Sequence, residues 1–484
     1  MVRCIVAASL AAVLSLTVGC RRNTTDTPQR PRAAPPDRYL VGAHYYYWYP
    51  QNFRQGYLRK TLVPAEKPAL GIYRSDDPRV IEQHIAWCSR YGVDFLALDW
   101  WPGRDERNAG FAKALLAAPN LGDVKFCVFY ETWTLNFDKD FGTTTFTDEV
   151  TQRFLADMTG IARTFFNNPA YLRVQNRPVV FLYLSRTFCG RYREALTQLR
   201  AKLAEMGHDV YLVGDEIFWK VVADRTIPGG HPEESTGPQR GRIMQFDAIT
   251  AYNLYEGGTA SHRGYGAESA YVEDSLRLYR DYSLACGNRV ALVPSVTPGY
   301  NDRGVRPSVD HYPIPRQWRA DLPEGTFLAE TLERVAFPLA DPVLNMIMIT
   351  TWNEWNEDTA IEPLDQSPPT SRDQSESGTG FTQGYSYSGH GTTYLEVLRD
   401  KTVAVAGCVI GADGAPARGV SVSAWVNGGR VTADETDAAG CYTLSRLRMP
   451  PGAYEVGPEA GAARTPVQVV KDRTTAEIDF RLGK

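Results

Sequence analysis

The stretch N-M-I-M-I-T-T-W-N-E-W-N-E-D-T-A-I-E-P, residues 345–363, changes character halfway along. Its first half, residues 346–350, is a short run of apolar and β-branched residues, which is typical of a strand buried on both faces of a parallel sheet. Its second half gathers two tryptophans, two asparagines and two glutamates where the strand would leave the core. An apolar strand that ends in polar and aromatic residues is the pattern that an α/β barrel shows at its C-terminal face.

Short apolar segments alternate with amphipathic ones through most of the chain. The pattern predicts eight strands, at residues 39–49, 93–101, 124–133, 178–185, 209–217, 246–255, 290–300 and 346–350. It predicts helices at residues 77–91, 109–118, 148–168, 191–206, 268–285, 327–340 and 393–399. Strands that alternate with helices favour a parallel sheet. Eight such units predict an α/β fold of the (β/α)8, or TIM barrel, type over residues 38–400.

The strongest chemical signal is the pair Glu354 and Glu357, three residues apart on a tight turn. Two carboxyl groups held close together do not ionise independently, so one tends to keep its proton while the other stays charged. Glycoside hydrolysis needs that division, with an acid for the leaving oxygen and a second carboxylate for the rest of the reaction. Trp352 and Trp355 would offer flat apolar faces to a sugar ring. The alternative is that both glutamates are solvated loop charges and both tryptophans are packing residues.

Composition narrows the class of function. The chain has 484 residues, of which 43% are hydrophobic and 11% aromatic, and this length suggests one large domain with an appendage. A net charge of -4 supplies no general attraction for nucleic acid. The sequence contains no P-loop, no G-x-G-x-x-G after a strand and no H-E-x-x-H. We therefore expect no cofactor and no metal.

Residues 1–20 have the layout of an export signal. Arg3 precedes an apolar stretch at residues 4–18, and small residues lead to Gly19 and Cys20. This resembles the bacterial lipoprotein signal, in which the cysteine becomes lipidated. Residues 21–37, rich in proline, would then be a tether to the membrane. We expect an exported protein, lipid-anchored to a bacterial membrane on its periplasmic or cell-surface side; the alternatives are plain secretion and an uncleaved anchor.

Residues 403–484 change composition to short alternating segments divided by Gly and Asp turns, which favours a small all-β sandwich. This region resembles the carboxypeptidase regulatory-like domain, which implies a role in spacing or surface contact and no catalytic role. Cys408 and Cys441 are the two cysteines here, and a disulfide between them is expected in an oxidising compartment. The remaining cysteines of the barrel region are expected to be free buried thiols, namely Cys88, Cys127, Cys189 and Cys286.

Five separated stretches resemble glycoside hydrolase family 99, at residues 43–49, 68–78, 93–101, 294–302 and 352–363. The known members of that family are endo-acting α-mannosidases and α-mannanases on a (β/α)8 barrel, which implies an α-mannosidic glycan as substrate. By that resemblance Glu357 is the general acid/base on the glycosidic oxygen. Glu354 would deprotonate the neighbouring sugar 2-hydroxyl, which attacks C1 to give an anhydro-sugar intermediate with overall retention. An ordinary retaining hydrolase uses one carboxylate as a nucleophile instead.

The strand ends and the resemblance together nominate eight substrate-binding residues: Tyr46, Trp100, Glu131, Tyr252, Tyr300, Arg306, Asn353 and Trp355. Among these, Glu131, Tyr252 and Arg306 stand where the family has substrate-contacting residues. The chain departs from the family where Arg186 and its neighbours replace a Tyr-His pair, and where Asn356 replaces a His. For each nominated residue the alternative is surface or core packing.

Three functions fit these observations. The first is an exported, endo-acting, retaining glycoside hydrolase that cuts an α-linked, mannose-containing oligo- or polysaccharide. The second is a non-catalytic glycan-binding lipoprotein on the same barrel, although binding alone has no use for a close acid pair. The third is a protein that processes surface polysaccharide during its assembly.

Overall fold

A computed structural model describes residues 38–225, 232–257, 270–307, 312–459, 464–475 and 477–483. The predicted signal segment, Cys20 and the tether lie outside the described residues. Among the helices that are described, none combines the length and the apolar character needed to cross a membrane.

Eight parallel strands form the barrel: β1 Leu40–Tyr45, β2 Phe95–Trp100, β3 Lys125–Tyr130, β4 Arg177–Leu182, β5 Tyr211–Asp215, β6 Ala248–Thr250, β7 Ala291–Val293 and β8 Met346–Ile349. Strands β1 to β7 pair in chain order, and β8 pairs with β1. Pro294 interrupts β7, and its continuation Ser295–Val296 pairs with β8, so the sheet closes on itself. The predicted (β/α)8 barrel is confirmed.

The helices that cover the barrel are α1 Gln51–Gln55, α2 Leu58–Thr61, α3 Pro78–Tyr91, α4 Asp105–Leu116, α5 Asp148–Phe165, α6 Tyr192–Glu205, α7 Arg240–Ile243, α8 Ala270–Cys286, α9 Thr326–Thr331 and α10 Thr393–Thr402. Helix α9 continues through a π-helical turn, Leu332–Ala336, and the short segment Phe337–Leu339. Helix α3 shows why the boundaries fall where they do. Asp77 caps its first turn by accepting from the Arg79 N–H, and Gly92, at φ 79°, ends it in the left-handed region.

Inside the barrel, alternate residues of each strand point to the axis. On β1 these include Gly42 and His44, and the His44 ring packs against Phe129. A Cβ at position 42 would lie 2.1 Å from the Phe95 ring, so only glycine leaves room for that ring in the barrel interior. Burial lowers the pKa of His44 to about 3, so this residue is a neutral packing group at the base of the site.

The C-terminal region has two sheets around its own apolar core. Its strands are β9 Val403–Ile410, β10 Ser421–Val426, β11 Gly429–Glu435, β12 Cys441–Ser445, β13 Gly452–Pro458, β14 Thr465–Val469 and β15 Phe480–Arg481. Strand β9 pairs with β12 and β15, and the other four strands form the second sheet. A disulfide joins Cys408 to Cys441, which face each other across β9 and β12.

The sandwich packs on the end of the barrel where the strands begin. Helix α10 ends at Thr402 and β9 starts at the next residue, so no linker separates the two parts. The Arg38 guanidinium bridges them, 2.8 Å from Asp94 at the start of β2 and 3.5 Å from Asp434 of the sandwich. The catalytic candidates lie at the opposite end, called here the mouth, where the strands finish.

Candidate active site

The turn after β8 is folded back on itself by backbone hydrogen bonds. The Ile361 N–H donates to the Thr351 carbonyl at 3.1 Å, and the Glu362 N–H donates to the Trp352 carbonyl at 2.8 Å. The Trp352 N–H donates to the His44 carbonyl of β1 at 2.7 Å. Residues 352–357 are thereby held across the end of the barrel instead of extending into solvent.

Buried side chains on either side of the glutamates fix the turn further. The Asn353 amide accepts from the Tyr46 N–H at 2.7 Å and donates to the Tyr46 carbonyl at 2.9 Å. The Asp358 carboxylate accepts from Arg59 at 2.8 Å and from Arg316 at 2.9 Å, and all three side chains are at most 1% exposed. Asn353, predicted to bind substrate, therefore positions the turn through the backbone of Tyr46.

Glu354 is the buried member of the pair, with 3% of its surface exposed. Its Oε1 accepts from the Asn356 N–H at 2.9 Å. Burial, and next the negative charge of Glu357, hold the pKa of Glu354 well above its usual range. Because the charge of Glu357 contributes to this shift, the two carboxyl groups lie near each other; their role as an acid pair stays a prediction.

Glu357 has a different environment, since both of its carboxyl oxygens accept hydrogen bonds. The Tyr255 hydroxyl donates to Oε2 at 2.8 Å, and Arg306 Nη2 donates to Oε1 at 2.7 Å. Arg306 is itself held at Nε by Asp302, 2.9 Å away, and remains 45% exposed. These two donors hold the Glu357 carboxyl group in place, and Arg306 is thereby a direct partner of the pair.

Tyrosines line the space beside the pair. The hydroxyls of Tyr46 and Tyr252 are hydrogen-bonded to each other. The charges of Glu357 and Glu354, after burial, raise the pKa of Tyr252, so its hydroxyl stays protonated near the pair. Tyr300 stacks on Tyr255 with ring centroids 4.5 Å apart. Tyr46, Tyr252 and Tyr300 therefore gather at the mouth.

A second group of acids lies at the ends of β2 and β3. Glu131 is 4% exposed and accepts from the Trp133 N–H at 3.1 Å. Burial and then the charge of Asp99 hold the pKa of Glu131 well above its usual range. Asp99 accepts from the Trp101 indole at 2.5 Å, and burial raises its pKa to about 8. The sequence reasoning nominated Glu131 but missed Asp99 and Trp101, although Asp99 interrupts an apolar strand.

A third cluster stands where the chain departs from family 99. Arg186 pairs with the buried Asp215, and its other nitrogen donates to Asn253 at 2.8 Å. Asn253 also donates to Glu256. Burial, and then the charge of Glu357, raise the pKa of Glu256 to about 8. These residues extend the polar wall of the mouth from the pair to β5, and sequence reasoning selected none of them as site residues.

The three tryptophans predicted to contact sugar make packing contacts. Trp100 faces the helix layer, where its ring meets Phe165 of α5 edge-on at 5.3 Å, because inward and outward residues alternate along β2 and Asp99 takes the inward place. Trp355 is 1% exposed, and its indole donates to the buried Glu362 at 3.1 Å. Trp352 is fully buried. Trp352 and Trp355 are thus buried packing residues with no exposed face for a sugar, whereas Trp100 is partly exposed and its contact with substrate stays a prediction.

Within the described part of the chain, no group of three or more His, Cys, Asp or Glu side chains could hold a metal ion. The mouth contains two neighbouring carboxyl groups, Glu354 and Glu357, in unlike environments. One is buried and favours its protonated form, and the other is bound by an arginine and a tyrosine. Such a pair can donate a proton and accept one within a single reaction cycle.

A (β/α)8 barrel with two neighbouring carboxyl groups at its mouth is an arrangement that glycoside hydrolases use. The family model described as "Glycosyltransferase WbsX" matches residues 58–368, and the chain belongs to that family.

Similar proteins point to the same class. The chain is 23% identical to the glycoprotein endo-alpha-1,2-mannosidase of Mus musculus over 376 residues, which is 68% of each chain. Its identity to the Rattus norvegicus enzyme of the same name is 23% over 363 residues, again 68% of each chain. A solved structure named glycoside hydrolase-like protein shares the fold, with a TM-score of 0.52, 17% identity, and coverage of 76% of this chain and 95% of that one. The predicted relationship to the family 99-like glycoside hydrolases is confirmed.

Proposed function

We propose that this protein cleaves α-linked, mannose-containing glycans at internal linkages, with Glu354 and Glu357 as its acid pair. The observation that carries the proposal is the meeting of these two carboxyl groups in unlike environments at the barrel mouth. The name of the mouse relative, an endo-alpha-1,2-mannosidase, supports mannose as the sugar and internal cleavage as the mode. Tyr46, Tyr252, Tyr300 and Arg306 would hold the sugar beside the pair.

The protonation of Glu354 and Glu357 before substrate binds affects which of them acts as the acid and which as the base. In the substrate-free state burial and the charge of Glu357 raise the pKa of Glu354 and so favour its protonated form, while Glu357 accepts from Tyr255 and Arg306. The anhydro-sugar route needs the reverse, an acid at Glu357 and a base at Glu354. We propose that a bound sugar 2-hydroxyl supplies Glu354 with a hydrogen bond that stabilises its charge, and that the single proton of the pair passes to Glu357. Overall retention follows from two successive displacements at C1.

The roles can be assigned with matched variants and two substrates. Each variant, Glu354→Gln and Glu357→Gln, is assayed on a mannose oligosaccharide and on a mannosyl-mannosyl fluoride, whose leaving group needs no proton. Loss of the general acid should cost about 10²–10⁴-fold on the oligosaccharide and far less on the fluoride. We expect Glu357→Gln to keep activity on the fluoride and Glu354→Gln to lose it. The opposite result would exchange the two roles. The control is Glu376→Gln, which changes a glutamate at an exposed loop position.

The substrate is tested on a panel of α-mannan, high-mannose glycan and α-glucan. Release of new reducing ends of several sugars from one substrate, lost in both glutamine variants, would support the proposal and identify the glycan. Binding without release by the wild-type protein would favour the glycan-binding alternative. The anomer released first, followed by NMR, tests retention, and a covalent glycosyl group trapped on Glu354 would contradict the anhydro-sugar route.

A second candidate is glycosyl transfer, which the description of the family model favours. The same mouth could pass a cleaved glycosyl unit to a sugar hydroxyl instead of water, as part of surface-polysaccharide processing. Products longer than the starting oligosaccharide, measured by mass spectrometry at high acceptor concentration, would support transfer. Their absence at every acceptor concentration would leave hydrolysis.

We also propose that the protein is exported and held on a membrane through a lipid on Cys20, with the sandwich as a spacer. The support is the sequence layout of residues 1–20. Labelling of cells with a radioactive fatty acid should mark the protein, and Cys20→Ala should abolish the label. Equal labelling of both forms would contradict the anchor.

A further inference from the structure

A cleft lies between the sandwich and the end of the barrel opposite the mouth. Its volume is about 1120 Å³, and its walls are helix α3, the residues just before β2 and β3, and the facing strands β9, β11 and β12. This volume is at the upper end for a small-molecule site and can hold several sugar units. Direct contacts between its two walls include Ser89, which donates to Asp437 at 2.7 Å, and Arg418, which contacts Asp123 at 3.1 Å.

Aromatic and amide groups line the barrel side of the cleft. Trp87 of α3 is partly exposed there, with its ring at 25° to the buried His84 and 6.0 Å from it. Tyr91 follows one turn later, and the Arg399 guanidinium lies 5.1 Å from its ring centroid. A partly exposed indole beside a tyrosine is the kind of surface on which the apolar face of a sugar packs.

Two polar groups of the wall have no partner among the residues that the structure describes. Asn120 is 7% exposed, and its amide nitrogen donates to the Glu82 carbonyl at 2.9 Å, but its Oδ1 accepts nothing. The Nε of Arg399 donates to nothing. Buried polar atoms are nearly always hydrogen-bonded in proteins, so an acceptor and a donor left unpaired in the wall of one cleft favour a ligand with hydroxyl groups.

The charges of the cleft favour a neutral ligand. Six basic and eight acidic side chains line it. Several of them neutralise each other directly, as Arg38 does with Asp94 and Asp434. A charged ligand would meet as much repulsion as attraction there. A hydroxyl group, in contrast, can donate a hydrogen bond to an acidic side chain or accept one from a basic side chain.

We infer that this cleft is a second carbohydrate-binding site, which holds a neutral stretch of the same polymeric glycan that the mouth cuts. The inference rests on the proposed function for the identity of the glycan. The apolar face of a sugar packs on Trp87, and its hydroxyls bond to Asn120 Oδ1 and Arg399 Nε. Because the cleft and the mouth lie at opposite ends of the barrel, one polymer bound at the cleft stays close to the enzyme between cuts and raises the local concentration of linkages.

The test uses the full chain and α-mannan as the probe. Retention is measured by electrophoresis through gels that contain α-mannan, in the Glu354→Gln background so that the gel is not digested. Trp87→Ala removes the platform, and Ala86→Trp fills the cleft from an exposed position of the same helix. The control is Ala201→Trp, an exposed alanine within α6, remote from the cleft. We expect retention to fall about fivefold or more in the two cleft variants and to stay unchanged in the control.

A second measurement separates this inference from the proposed function. In the otherwise wild-type enzyme, Ala86→Trp should leave kcat/KM on a short soluble oligosaccharide unchanged and lower the rate on polymeric mannan. Cleavage of the oligosaccharide with retention equal in all variants would overturn the second site and leave the function standing. Retention that depends on Trp87 without any cleavage would support the site and overturn the function. If the protein shows no retention and no cleavage, both the second site and the proposed function are overturned.

Discussion

Asp99, at the end of β2, leads to a prediction about how the free energy of unfolding depends on pH. Burial raises the pKa of Asp99 from the usual 3.8 to about 8. A carboxyl group whose pKa is raised by folding is bound more tightly to its proton in the folded state than in the unfolded chain. The protein therefore loses free energy of unfolding as the pH rises from about 4 toward 8, and none of this loss is present below pH 4.

The size of the effect follows from the shift. About four pH units at about 1.4 kcal/mol each give a ceiling of about 6 kcal/mol at pH 8. Glu131 is a second buried acid of the same cluster, and its pKa is also raised. Part of the loss in free energy of unfolding therefore remains when Asp99 alone is changed. We expect Asp99→Asn, which removes the charge and can still accept from the Trp101 indole, to raise the free energy of unfolding by about 2–5 kcal/mol at pH 8.

The assay is urea unfolding of the wild type and Asp99→Asn between pH 4 and pH 8. The difference between them should be small at pH 4 and grow steadily to pH 8. The matched control is Asp365→Asn, because Asp365 lies on the surface with 52% of its side chain exposed and pairs with Lys67 at 3.3 Å. A difference that stays constant with pH, or a variant less stable than the wild type at pH 8, would refute the reasoning.

Three further outcomes are expected. Asp358→Asn removes the shared partner of two buried arginines and should lower the free energy of unfolding by about 3–5 kcal/mol in urea titrations, where equal stability would contradict the role of this network. Gly42→Ala drives a Cβ into the Phe95 ring and should lower the thermal midpoint, whereas Gly71→Ala meets open space and is the comparison at a position strained only by its positive φ. Tyr255→Phe removes one hydrogen bond to Glu357 and should lower kcat more than it changes KM, and an unchanged pH–rate profile would argue against contact with the acid pair.

The barrel was predictable because its strands are apolar runs of similar length separated by helical periodicity. The turn at residues 350–363 was predictable for a different reason. It concentrates polar residues that have no place in a strand interior, so the end of β8 stands out. Family resemblance then supplied Arg306, whose contact with Glu357 depends on a loop that sequence spacing does not position.

Two placements differ from the prediction, each for a physical reason. A strand buried on both faces carries apolar residues inward and outward alike, so its sequence does not tell which residues face the axis. Trp100 was therefore selected where Asp99 points into the mouth. The prediction that Trp355 is exposed was wrong for a related reason. Its indole donates to the buried carboxylate of Glu362, and no local sequence pattern reveals this partner.

The approach of the chain to the barrel has a consequence for how the enzyme meets its substrate. Arg38, two residues ahead of β1, lies on the side that carries the sandwich and bridges the two parts. A bead coupled directly to position 38 would therefore sit on the side of the sandwich, and the mouth at the opposite end of the barrel would stay open to the medium.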